Sequence, residues 1–128
     1  MSARDLAHWG FAFLFTQIVE VPIYTRGLRV GPLKAFGASA LTHPVVWFVI
    51  PSIWSALYRW AAPPGGHFVL SATAQYWCYG ALAEGFAVAA EAAYFHVLGA
   101  KKTIRWALAA NVVSALIGQA SSYLFGWP

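Results

Sequence analysis

Glu84 and Glu91 stand seven residues apart in an apolar run from about residue 67 to 99. Seven residues are nearly two helical turns, so both carboxylates leave almost the same face, roughly 10 Å apart along the axis. A glutamate in the middle of a membrane span costs a few kcal/mol, which marks it as facing a partner, a cavity or a pathway. Each of the other apolar runs also carries a residue able to do chemistry: Glu20 in the first, His43 in the second and Asn111 in the last. Glu20, His43 and Glu91 would ligate a divalent metal ion or hand a proton between them, with Asn111 orienting a carboxylate or a ligand. Gln17 and Thr42 lie beside this set, and Glu84 extends it deeper. A carboxylate pair in a low dielectric does not hold two negative charges unaided, so a proton or a cation is required. The competing role is structural, polar side chains pinning helices together as they do in membrane bundles. Three carboxylates are an expensive way to do only that.

The elements that position these residues follow from composition. Of the 128 residues 60% are hydrophobic and 9% charged, and mean hydropathy is +0.60, whereas a soluble domain is about a quarter charged. The expectation is an all-α integral membrane protein, a four-helix transmembrane bundle in one domain with spans at about 6–24, 36–58, 68–98 and 103–125. Span one reads as retained rather than as a cleaved signal, and ends at the Val21-Pro22 break. Span two, with Pro44 and Pro51, should kink or unwind near both and free backbone carbonyls as ligands. Pro63-Pro64-Gly65-Gly66 makes a turn. No internal repeat stands out, and one cysteine, Cys78, excludes an internal disulfide.

The net charge of +4 reports topology rather than a nucleic-acid partner. Arg26, Arg29 and Lys34 follow span one, and Lys101, Lys102 and Arg105 follow span three. In a four-span chain those loops share a side, which the positive-inside rule makes cytoplasmic. Both termini then face outward, in the cytoplasmic (inner) membrane of a bacterium. Trp9, Trp54, Trp60 and Trp127 would mark the outer interface, and Tyr24, Tyr94 and Trp106 the inner one. Counted from the inner ends, Glu20, His43, Glu91 and Asn111 all fall roughly 5 to 15 Å below the inner surface.

Single residues carry narrower expectations. Glu20 is close enough to the inner interface to pair with Arg26 or Arg29, and Glu84 has Gln119, Gln75 or Ser114 as partners. His8, His67 and His96 read as interfacial. Ala81, Gly85, Ala89 and Ala93, spaced by four, form a helix-packing stripe. The chain has no His-Glu-x-x-His, Gly-x-Ser-x-Gly, phosphate loop or Cys-x-x-Cys.

Thr42-His43-Pro44-Val45-Val46-Trp47, then Glu84 and Glu91 followed by Ala93-Tyr94, then Asn111-Val112-Val113-Ser114 with Gly118, resemble a loose group of small four-span bacterial membrane proteins. In that group Thr-His-Pro or Thr-Asn-Pro precedes paired glutamates. The resemblance implies the architecture and the choice of residues, and no reaction. The first expectation is a transport or ion-handling protein whose site binds a cation or relays protons, acting in the lipid bilayer as a homo-oligomer or beside a larger membrane partner. The second is an intramembrane metal-dependent enzyme acting on a lipid or membrane peptide with a glutamate as general base. The third is a structural or assembly subunit of a membrane complex.

Overall fold

Ser2 opens the first helix: its hydroxyl accepts from the Asp5 N–H at 3.2 Å while the Asp5 carboxylate accepts from the Ser2 N–H at 2.8 Å, a reciprocal cap of two otherwise orphaned donors. A computed structural model of the protein describes residues 2–61 and 69–126. Its described residues form four helices: α1 Ala3–Gly27, α2 Pro32–Ala61, α3 Ala72–Val97 and α4 Thr103–Phe125. The Pro63-Pro64-Gly65-Gly66 turn, His67 and Trp127 lie outside the described residues.

Prolines bend the expected boundaries less than their reputation suggests. α1 does not end at Val21-Pro22 but continues to Gly27. Ending the helix in lipid would strand several backbone groups, where carrying Pro22 strands one. Thr25 also donates its hydroxyl back to the Val21 carbonyl at 2.9 Å. α2 opens with Pro32 in its first turn, where the missing N–H costs nothing, and so starts earlier than expected. Near Pro44 and Pro51 the expected loosening takes the form of a single π turn, Val45–Val49, between two α-helical stretches. The wider turn takes up the proline rings and keeps the N–H of Ile50 bonded to the carbonyl of Val45. α3 starts at Ala72, later than expected, capped by the Ser71 hydroxyl, which accepts from the Ala74 N–H at 3.2 Å.

Short connections at residues 28–31 and 98–102 make α1/α2 and α3/α4 two antiparallel hairpins. α1 packs on α2 and α4, and α3 packs on α4 and α2, so α1 and α3 face each other across the diagonal. The core there is thin: Ala35, Ala38, Ala107 and Ala110 let the helices approach, and the rings of Tyr24 and Phe95 meet with centroids 4.6 Å apart. Close approach also requires glycine at two places. A methyl group at Gly27 would sit 2.4 Å from the Trp106 ring, and one at Gly37 would sit 2.6 Å from the Tyr94 hydroxyl.

Large apolar side chains point outward instead, with Ile18 74% exposed, Leu33 83% and Val97 84%. That inversion suits a bundle solvated by lipid, where burying apolar surface yields no gain. α1, α2 and α4 are long and apolar enough to cross a membrane. α3 is as long, but its two glutamates lower its hydropathy. The chain is a helical membrane protein.

Candidate functional site

The two central glutamates come from the diagonal helices and are held by the other two. Glu20, on α1, is 2% exposed. It accepts from the Ser39 hydroxyl of α2 at 2.5 Å and the Ser114 hydroxyl of α4 at 2.7 Å. Glu91, on α3, is 1% exposed. It accepts from the Thr42 hydroxyl of α2 at 2.8 Å, from the Asn111 amide of α4 at 2.8 Å, and from the Tyr24 hydroxyl of α1. The Asn111 amide also donates to the Ala107 carbonyl at 3.0 Å, which fixes its orientation.

α2 and α4 therefore each serve both carboxylates through residues three apart, 39 and 42 on α2 and 111 and 114 on α4, which lie on one helical face, while the Tyr24 hydroxyl of α1 serves Glu91 alone. The hairpins match position by position. Glu20 and Tyr24 of the first hairpin correspond to Glu91 and Phe95 of the second, 71 residues later. Ala35, Ala38, Ser39 and Thr42 correspond to Ala107, Ala110, Asn111 and Ser114, 72 residues later. The second hairpin's connection is one residue longer, which accounts for the change. Three of these six pairs are identical, Glu20 with Glu91, Ala35 with Ala107 and Ala38 with Ala110, but the identities are scattered and the spacing shifts by one, which hid the repeat in the sequence.

The carboxylates line a cavity of about 190 Å³. Its walls include Phe15, Thr16, His43, Trp47 and Glu84, and among the described residues no Lys or Arg. His43 is buried, packed among Trp9, Phe13 and Trp47 with centroids 6.1, 5.3 and 5.8 Å away. Its Nδ1 has no hydrogen-bond partner among the described residues, and His43 lines the cavity without bonding to either glutamate. Trp9 belongs to this cluster rather than only to the outer interface.

Of the expected layer of Glu20, His43, Glu91 and Asn111, the two glutamates and Asn111 are bonded together, with Ser114 reaching both Glu20 and the Asn111 carbonyl; His43 lines the cavity outside the bonds, and Thr42 belongs among them rather than beside them. Gln17 is buried, but neither of its amide atoms has a partner among the described residues and it does not line the cavity. Glu20 is bonded to serines rather than to Arg26 or Arg29. Glu84 is exposed on α3. The partners expected for it are engaged elsewhere: Gln119 with the Tyr76 hydroxyl at 2.7 Å, Gln75 with Tyr58 and the Leu70 carbonyl, and Ser114 with Glu20. The stripe Ala81, Gly85, Ala89 and Ala93 does not pack inside the bundle; all four are exposed. The packing face of α3 is Ala83, Ala87, Glu91 and Phe95.

Sequence reasoning missed Tyr24, Ser39 and Ser114. Tyr24 is fully buried at the diagonal rather than at the inner interface. A tyrosine one turn after Glu20, and hydroxyl or amide pairs spaced by three on both second helices, were the available signals.

Among the described residues no three of His, Cys, Asp and Glu stand close enough together to hold a metal ion. A divalent ion would take most of its ligands from hydroxyl and amide oxygens, so the donor set favours protons over a transition metal. No family model matches the chain, and neither the curated proteins nor the solved structures contain a match to it.

Proposed function

We propose that the protein is a four-span ion-handling protein of the bacterial inner membrane, with both termini outside, whose Glu20–Glu91 pair binds protons and relays them through the bundle. One observation carries this reading: two buried carboxylates receive five hydrogen bonds from uncharged donors and, among the described residues, no Lys or Arg lines their cavity. Two unbalanced charges in such a place cost several kcal/mol each, so the pair carries at least one proton or a cation.

The chemistry of the donors suits a relay. Four of the five are hydroxyls, which donate to an ionised carboxylate and accept from a protonated one by turning a single O–H bond. A proton can therefore arrive or leave without a helix moving. Asn111, which offers an N–H it cannot give up, supplies the fixed point. His43 lines the same cavity as the two glutamates and is the titratable side chain through which we would have the relay leave the carboxyl pair.

Difference infrared spectroscopy on the protein in lipid, between acid and alkaline conditions, tests this. The expected result is a protonated-carboxyl C=O band that Glu91→Gln removes or shifts. A spectrum without any such band at all accessible pH would refute proton binding. Proteoliposomes loaded with a pH-sensitive dye would then report whether binding is accompanied by flux.

A further inference from the structure

A space of about 190 Å³ adjoins the carboxylate pair, and a proton alone does not account for its size. It lies below the roughly 300 Å³ at which sites for drug-sized ligands begin, so an occupant is small. Three carboxylate residues line it, Glu20, Glu84 and Glu91, together with Phe15, Trp47 and His43. Carboxylates and aromatic rings around one small space suit a cation whose surface is carbon: an alkylammonium is drawn to an aromatic face and to negative charge, and needs no oxygen ligands.

A second space borders the first. Between α3 and α4 an apolar groove of about 800 Å³ opens toward lipid, and Gly85, Ala89 and Ala93 help to line it. Glu84, Asn111 and Ala115 line both the groove and the inner cavity. These shared residues are where a route between the two spaces would run, and the exposed Glu84 is the carboxylate on the groove side.

We propose that the inner cavity binds a small alkylammonium ion, which enters sideways from the bilayer along the α3–α4 groove past Glu84. This rests on the proton-binding reading, because entry of one cation releases one proton from the carboxyl pair and leaves the net charge of the site unchanged. The titratable groups facing the cation are Glu20, Glu84, Glu91 and His43, with Tyr24 behind Glu91 and His96 at the far end of the groove.

The test is isothermal titration of the detergent-purified protein with tetramethylammonium, tetraethylammonium and benzyltrimethylammonium, in two buffers of different ionisation enthalpy so that protons are counted. Expected is saturable one-to-one binding with about one proton released. Glu91→Gln should weaken binding about a hundredfold and release no proton, and Trp47→Leu should weaken it about fivefold. Glu84→Gln should slow association followed by tryptophan fluorescence. No saturable binding of any of the three ions, with the infrared carboxyl band present, overturns the ammonium site and leaves the proton reading standing. Absence of both overturns both. Binding that survives Glu91→Gln, or a divalent metal bound in place of all three ammonium ions, also overturns the proposal.

Discussion

Replacing Glu91 by glutamine and by leucine separates the shape of the site from its chemistry. Leucine removes both acceptor oxygens and leaves three donors. The Tyr24 hydroxyl, fully buried, loses its strong acceptor, and an orphaned buried donor costs about 1 to 3 kcal/mol. Thr42 and Asn111 retain backbone carbonyls, Ala38 at 3.4 Å and Ala107 at 3.0 Å, so each loses a bond worth about 0.6 kcal/mol in a membrane interior. Glu91→Leu should therefore destabilise the bundle by about 2 to 4 kcal/mol. Glutamine keeps an oxygen for Tyr24 and Asn111 and turns its NH₂ toward Thr42, whose hydroxyl can accept. If the resting carboxyl is neutral, as proton binding requires, Glu91→Gln should cost under about 1 kcal/mol while removing the exchangeable proton. Unfolding by a denaturing detergent, followed by circular dichroism, measures both variants. Equal losses from glutamine and leucine would mean that the negative charge itself holds the helices, and the proton argument would fail.

Three further outcomes are expected. Gly27→Ala should lower stability by about 1 to 3 kcal/mol, since its methyl would strike the Trp106 ring, whereas Gly85→Ala, with nothing within 4 Å, should leave stability unchanged or raise it by up to about 1 kcal/mol; the same unfolding titration decides, and equal effects would contradict the packing. His43→Phe should fold with stability within about 1 kcal/mol of the parent, because it removes a buried nitrogen that has no partner. The same variant should slow dye-reported proton flux, and unchanged flux would take His43 out of the path. A reporter fused after Pro128 should be active on the outer side of the membrane, and a cytoplasmic result would invert the topology.

Composition was enough for the helical architecture, and the polar residues were legible because each is costly where it stands. Glu20, Glu91 and Asn111 were found by counting depth from the basic loops, and they do meet. Tyr24, Ser39 and Ser114 escaped because tyrosine and serine are ordinary in membrane helices, and only the rotation of each helix reveals which of them face the glutamates. Depth counting carries no information about rotation, which is also why Gln17 was expected beside the site and lies off it. The stripe of small residues on α3 misled for a related reason: spacing by four marks a face but not which neighbour the face meets. Pro22 was overread, since in lipid the penalty for breaking a helix exceeds that for keeping a proline in it, whereas near Pro44 the helix does loosen, into a π turn.

The correspondence between the hairpins fails at one atom that matters. Tyr24 sends its hydroxyl to Glu91, while its counterpart Phe95 has no hydroxyl to send to Glu20. Glu91 therefore takes three donors, one of them the Asn111 amide, and Glu20 takes two hydroxyls. A proton divided between two unequal acceptors has a preferred resting place, while the direction of any net movement is set by the gradient across the membrane. Phe95→Tyr would narrow the difference, and Tyr24→Phe would narrow it from the other side.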